Sequence, residues 1–210
     1  NEFQTGYVLP LYLNMFPEAV RGNAVNHLVK LIEDNDYCIG TGFPGTPYIL
    51  FALADNGRED VAYRMLLNTT CPSWLYEVGM GATTIWERWD GLDDNGECPI
   101  GDDGTDLMIS YNHYASGAVG AFLYQRVAGI EAIEAAYRSF RVRPVLGGGL
   151  MWARAHVDTP YGRVGSDWSL DDGRFSITVE VPVGTTCELV LPNGTTMQLP
   201  DGVHTAACEM

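Results

Sequence analysis

The nine residues Thr83–Gly91, which read Thr-Thr-Ile-Trp-Glu-Arg-Trp-Asp-Gly, place two carboxylates, two indoles and a guanidinium within a few positions of one another. Apolar surroundings raise the pKa of a carboxyl group in general, and a nearby cation lowers it. Such a mixture is how proteins adjust carboxylates for proton transfer. Flat indole faces also suit a sugar ring, whose C–H groups stack on them while its hydroxyls bond to acids. The segment therefore predicts chemistry on a carbohydrate.

Glu87 is the first candidate for an acid or base in this segment. Hydrolysis of a glycosidic bond needs two carboxyl groups, one on each side of the scissile bond. A glutamate beside Arg88 would ordinarily form a salt bridge to it or to a neighbouring helix, but the flanking indoles and the loop position favour a functional role. Asp90 precedes Gly91 and could simply cap a turn.

Two further residues are candidates for contact with a sugar. His113 begins the last long predicted helix, where it is either a cap bonded to the backbone or a hydrogen-bond donor to a sugar hydroxyl. Phe43 lies in the Gly-rich segment 37–45 and either lines a pocket or plugs the centre of a ring of helices. Trp74 and Tyr76 are more typical of packing between helices.

A cluster of acidic residues follows the indole-rich segment. It only loosely resembles a calcium-binding loop, because the spacing of an EF-hand is absent, so we predict a solvated loop and neither a metal site nor a cofactor. Its members are Asp93, Asp94, Glu97, Asp102, Asp103 and Asp106.

Charge and cysteine content narrow the classes of partner and compartment. Twelve basic residues against 27 acidic ones give a net charge of −15, which makes nucleic acid an improbable partner. The five cysteines include no CxxC pair, which favours free thiols in a reducing compartment, the cytoplasm, over zinc or a disulfide framework. Secretion stays open, because any targeting signal would precede Asn1. No apolar run approaches ~20 residues, so no membrane span is predicted.

Hydrophobic periodicity divides the chain into residues 1–132 and 133–210. The first part shows helical periodicity and predicts three consecutive helical hairpins, the last helix running from 112 to 129. The second part alternates with a period of two and predicts a small antiparallel β-sandwich. The candidate strands are Phe140–Arg143, Leu150–Val157, Arg163–Trp168, Phe175–Val181, Cys187–Leu191 and Val203–Cys208.

Several motifs in fixed order closely resemble the C-terminal part of bacterial α-L-rhamnosidases of glycoside hydrolase family 78. The resemblance covers nearly the whole chain and fades only after about residue 190. The segments that carry it are Thr41–Pro47, Pro72–Tyr76, Gly81–Gly91, Asn112–Ala115, Gly117–Gly120, Gly147–Leu150, Trp152–Ala155 and Thr159–Gly162.

This resemblance implies an (α/α)6 barrel of six helical hairpins followed by a β-sandwich, and an inverting hydrolase that removes terminal α-L-rhamnose from glycosides or oligosaccharides. Glu87 matches the family's general base, and His113 matches a histidine expected to contact the sugar. Trp86, Trp89 and Phe43 would shape the sugar site. Inversion fits carboxyl groups about 6.5–9.5 Å apart, which leaves room for the attacking water.

The chain differs from the family in extent, because nothing in it matches the upstream acidic stretch that carries the general acid. Three hairpins make a partial (α/α)6 toroid, so we expect a fragment of a larger enzyme that is inactive alone. Its exposed half-barrel surface predicts association of copies. The alternatives are another toroid glycosidase acting on a different sugar, or a non-catalytic carbohydrate-binding or assembly module.

Overall fold

The protein is described by a computed structural model over residues 2–92, 95–98 and 109–210. The chain divides into two compact units, residues 1–119 and 120–210. The sequence-based boundary at residue 132 falls at the end of strand β1 (Ile130–Ala132), which pairs with a strand of the second unit.

The first unit is built of helices joined by loops. Helix α1 packs against α2 and α3, and α3 packs against α4, so successive helices form hairpins as the periodicity predicts. The helices are α1 (Thr5–Tyr12), α2 (Glu18–Glu33), α3 (Ile49–Ala54), α4 (Glu59–Leu66), α5 (Trp74–Gly79) and α6 (Tyr114–Gly117), with a 3-10 turn at Thr46–Tyr48.

Local sequence explains where these helices begin and which side they bury. Pro17 precedes the first turn of α2 with φ −56°, a value that its ring favours. One stripe of α2 is buried at helical spacing: Ala24, Val25, Leu28, Val29 and Ile32. Helix α5 is capped by Ser73, whose hydroxyl accepts a hydrogen bond from the Tyr76 N–H at 3.2 Å.

The last helical segment differs from its prediction. Instead of one helix over 112–129, α6 is interrupted by a turn at Ala118, followed by α7 (Val119–Phe122) and a π-helical turn (Leu123–Val127). Gly117 and Gly120 flank the interruption, and glycine is a poor helix former. In addition, the Ser116 carbonyl accepts the Trp74 indole N–H at 2.9 Å, a bond from outside the helix.

The second unit is a β-sandwich of two four-stranded sheets, with orders β1-β2-β6-β7 and β3-β4-β5-β8. The pair β2–β6 is parallel, with Phe140 opposite Cys187, whereas the expectation was wholly antiparallel. These two strands are separated in sequence by β3, β4 and β5 of the other sheet, and such a crossover permits parallel pairing. The strands are β1, β2 (Ser139–Val142), β3 (Trp152–Thr159), β4 (Gly162–Asp171), β5 (Arg174–Val181), β6 (Thr186–Val190), β7 (Thr196–Leu199) and β8 (Gly202–Glu209).

Side chains from both sheets fill one core between them. Phe140 comes from the first sheet, and Trp168 and Phe175 come from the second; all three are at most 1% exposed. The Trp168 indole also donates a hydrogen bond to the Val127 carbonyl at 2.8 Å. Within the described residues, no helix combines the length and apolar character that crossing a membrane requires.

Candidate active site

Two loop segments of the first unit pair through their backbones and bring Glu87 and His113 together. The Glu87 N–H donates to the Ser110 carbonyl at 2.8 Å, and the His113 N–H donates to the Ile85 carbonyl at 2.8 Å. In addition, the Thr84 hydroxyl donates to the Tyr111 carbonyl. The segment that contains the predicted base is thereby held against the segment that contains the predicted sugar-binding histidine.

The Glu87 side chain is anchored at one oxygen. Its Oε2 accepts a hydrogen bond from the Ser110 N–H at 2.9 Å, and the described residues make no hydrogen bond to Oε1. The side chain is half-buried, neither sealed in the core nor free in solvent. One oxygen therefore fixes the direction of the carboxylate.

The adjacent guanidinium bonds to a different carboxylate. Arg88 binds Asp90 in a two-point contact, with Nε–Oδ1 at 3.0 Å and Nη2–Oδ2 at 2.8 Å. The hydrogen bond from Arg88 is the main reason that the pKa of Asp90 lies below its usual value. The ordinary alternative for Glu87, a salt bridge to Arg88, does not occur among these contacts.

The structure shows one of the two alternatives for His113, the cap bonded to the backbone, and contact with a sugar stays a prediction. His113 is the N-cap of α6, and its Nδ1 accepts the Ala115 N–H at 3.3 Å. This bond assigns the proton of the neutral ring to Nε2, which leaves Nε2 as a donor. The ring stacks on Phe43 with centroids 4.4 Å apart and planes 27° apart. Phe43 is 46% exposed, so this stack lies at the surface of the described unit.

The two indoles of the segment differ in accessibility. Trp86 is 3% exposed and meets the Tyr111 ring edge-on at 5.6 Å, so it supports the loop from within and offers no face to a sugar. Trp89 is half-buried and lies edge-on to Trp74, also at 5.6 Å. Trp74 is 3% exposed, which confirms its predicted place in packing.

The structure adds one residue that the sequence did not single out. Glu77 on α5 is 0% exposed, and its Oε2 accepts the Trp86 N–H at 3.1 Å. Burial raises its pKa to about 7, and the bond from Trp86 opposes this shift. A glutamate in the first turn of a helix is ordinarily a solvated residue that favours the helix dipole, so no sequence signal marked it.

Most of the acidic loop, at Asp93, Asp94, Asp102, Asp103 and Asp106, lies outside the described residues. Across the described ranges, no three His, Cys, Asp or Glu residues form a group that could hold a metal ion. None of the five cysteines forms a disulfide bond.

Both units match family models. Residues 1–127 match the bacterial α-L-rhamnosidase six-hairpin glycosidase domain, and residues 129–205 match the bacterial α-L-rhamnosidase C-terminal domain. The α-L-rhamnosidase of Streptomyces avermitilis is 44% identical over 189 residues, which are 90% of this chain and 18% of the relative. That of Formosa agariphila is 38% identical over 190 residues, 90% of this chain and 20% of the relative.

Solved structures agree in fold. The native α-L-rhamnosidase of Aspergillus terreus superposes with a TM-score of 0.91 at 39% identity, covering 100% of this chain and 24% of that one. The Streptomyces avermitilis α-L-rhamnosidase complexed with L-rhamnose gives 0.88 at 37% identity, covering 99% of this chain and 22% of that one. The chain thus spans about a fifth of the length of its curated relatives, at 18% and 20%. It belongs to the bacterial α-L-rhamnosidase family, with a six-hairpin glycosidase part followed by the C-terminal β-domain.

Proposed function

We propose that this chain supplies the general-base side of an α-L-rhamnosidase that removes terminal α-L-rhamnose with inversion. The observation that carries the proposal is the anchoring of Glu87, whose Oε2 accepts the Ser110 N–H at 2.9 Å beside the His113 segment. Relatives named α-L-rhamnosidase, up to 44% identical, support the choice of sugar.

In this mechanism the chain's residues have separate tasks. Glu87 takes a proton from the water molecule that attacks the anomeric carbon. The anchored oxygen of Glu87 keeps the carboxylate directed towards that water. His113 donates its Nε2 proton to a sugar hydroxyl. Phe43, stacked on His113, and the half-buried Trp89 offer apolar surface to the ring. The buried Trp86 supports this arrangement without touching sugar.

The general acid lies outside residues 1–210 in this proposal. An inverting pair stands about 6.5–9.5 Å apart across the bond. Glu77, the carboxyl group of α5 that is bonded to this segment, is 0% exposed and has no path to a glycosidic oxygen. The 210 residues alone are therefore expected to bind L-rhamnose weakly without hydrolysing aryl α-L-rhamnosides. Appreciable turnover by the purified chain would contradict this part.

The base role is tested with Glu87→Gln in the complete enzyme, assayed on an aryl α-L-rhamnoside within a panel of aryl glycosides. General-base catalysis contributes about 10²–10⁴-fold, so kcat should fall by that factor. Glu59→Gln is the matched control, because Glu59 is an exposed glutamate of the same unit. A loss of only a few-fold in kcat would overturn the base role of Glu87. Faster hydrolysis of another glycoside in the panel would overturn the assignment of rhamnose as the sugar.

A further inference from the structure

Glu77 is a buried carboxyl group with too few partners. Its side chain is 0% exposed, Oε2 accepts only the Trp86 N–H, and Oε1 has no hydrogen bond in the described structure. Burying a carboxyl group with one hydrogen bond is costly, and a methionine or leucine of similar volume would avoid the cost. The residue is therefore hard to explain by the stability of α5 alone.

The single bond that Glu77 does make reaches the active-site segment. Trp86 immediately precedes Glu87, so the acceptor on α5 holds the Ile85–Trp86 peptide, one peptide unit before the one that carries the Glu87 N–H. The next peptide is held by Ser110, whose carbonyl accepts the Glu87 N–H and whose N–H donates to the Glu87 carboxylate. The two consecutive peptide units that lead into Glu87 are thus held by acceptors on different segments, Glu77 Oε2 and the Ser110 carbonyl.

The charges near Glu77 offer it no counter-ion. The Cys71 thiol, on the loop before α5, interacts with Glu77, and Asp90 interacts with the same thiol. Both groups become anionic when they ionise, so neither stabilises a charged Glu77. No Lys, Arg or His of the described residues forms an ion pair with it, and burial raises its pKa to about 7.

We propose that Glu77 is a positioning residue for the general base: its carboxyl oxygen holds the backbone at Trp86 and thereby sets the direction of the Glu87 side chain. This inference rests on the proposed function of Glu87. A misplacement of about 1 Å in a catalytic group can lower a rate by about 10²-fold, so a bond of this kind has a measurable effect on kcat.

The kinetic test compares three variants of the complete enzyme. Glu77→Gln keeps an oxygen in place for the Trp86 N–H, whereas Glu77→Met removes the acceptor and Glu77→Asp withdraws it by one methylene. We expect Glu77→Gln to keep kcat within about twofold, and the other two to lose roughly 10- to 100-fold in kcat with KM nearly unchanged. Full kcat in Glu77→Asp and in any folded Glu77→Met protein would overturn the proposal, as would a Glu77→Gln loss equal to theirs.

The matched control is Ser73→Ala, which removes the N-cap of the same helix without touching Trp86. It should lower the melting temperature and leave kcat within about twofold. If it lowers kcat as much as Glu77→Asp does, the effect is general loosening of α5 and the positioning role is wrong.

A readout that needs no activity separates this proposal from the proposed function. Amide hydrogen exchange of the peptide covering Trp86 and Glu87 should be slow in wild type and Glu77→Gln, and at least about tenfold faster in Glu77→Asp. Equal exchange in all three would overturn the positioning role even in an active enzyme. Fast exchange in Glu77→Asp, in a protein that hydrolyses no rhamnoside, would uphold the contact and reject the function.

Discussion

The two units stabilise their structures in different ways. In the second unit, strands of up to ten residues pair in continuous register around one core, in which Phe140, Phe175 and Val164 are 0% exposed. In the first unit, the site segments are joined by a few separate hydrogen bonds, such as Glu77–Trp86 and the two between Ser110 and Glu87, and form no regular sheet among the described residues. A close-packed core is destabilised when side-chain volume is lost. The site, in contrast, depends on individual hydrogen bonds and is sensitive to the loss of single polar atoms.

The largest expected effect is a cavity in the sandwich. Phe140→Ala removes a fully buried ring from β2 and should lower the free energy of unfolding of the second unit by about 3–5 kcal/mol. Val183→Ala, at a side chain that is 78% exposed, should change it by less than about 0.5 kcal/mol. Urea denaturation measures both, and similar effects for the two variants would remove the contrast between the units.

The next effect is a pH-dependent loss of stability at Glu77. Its pKa is raised from 4.5 to about 7 on folding. The contribution of the protonated Glu77 to the free energy of unfolding is therefore fully present below pH 4.5 and is lost as the pH rises through 7. A shift of this size corresponds to up to about 3 kcal/mol. Glu77→Gln, which has no charge to bury, should therefore gain stability over wild type at pH 8 relative to pH 4.5. A difference between the two proteins that is independent of pH would show that the carboxyl group is not buried as described.

A smaller effect is expected from adding a methyl group beside the buried indole. At Gly91 a Cβ atom would lie 2.8 Å from Cε3 of Trp86 and 3.2 Å from the Arg88 carbonyl oxygen. Gly91→Ala should therefore cost about 1–3 kcal/mol through overpacking. At Gly22 in α2 nothing lies within 4 Å, so Gly22→Ala should instead stabilise the protein by up to about 1 kcal/mol. Thermal melts measure both variants. A shift of the melting temperature in the same direction for the two would contradict the close packing of the site loop.

The smallest effect is expected at the exposed ion pair. The side chains of Arg88 and Asp90 are 46% and 56% exposed. Asp90→Asn should cost less than about 1 kcal/mol, and even less in 1 M salt. A larger loss that persists in salt would mean that Asp90 holds the loop as firmly as the bonds to Glu77 and Ser110 do.

Sequence patterns predicted the elements with strong periodicity and missed those that depend on tertiary contacts. The helical stripe of α2 and the alternation of β5 were visible, whereas β1 and β7, which have three and four residues and so give a weak period, were not among the predicted strands. The break at Ala118 accompanies a bond between Ser116 and Trp74, which are far apart in sequence. Association of copies and the cytoplasmic compartment stay predictions.

The same distinction applies to the site. The residue types around Glu87 and His113 predicted a sugar-binding carboxylate and a donor, because those functions depend on side-chain chemistry. The burial of Trp86 and the role of Glu77 depend on how α5 packs under the loop, which no local pattern encodes. The sequence did not decide whether Phe43 lines a pocket or plugs the centre of a ring of helices. In the structure its ring stacks on His113 and so lies beside the proposed donor.

The most direct test of the account is the product formed by Glu87→Ala in the complete enzyme when azide is added. Azide needs no deprotonation, so it can replace water where a general base is missing. We expect Glu87→Ala to lower the rate of hydrolysis by about 10²–10⁴-fold relative to wild type. Added azide should then restore turnover, with β-L-rhamnosyl azide as the product. Undiminished hydrolysis, or turnover with azide that gives the α-anomer, would contradict Glu87 as the base of an inverting enzyme.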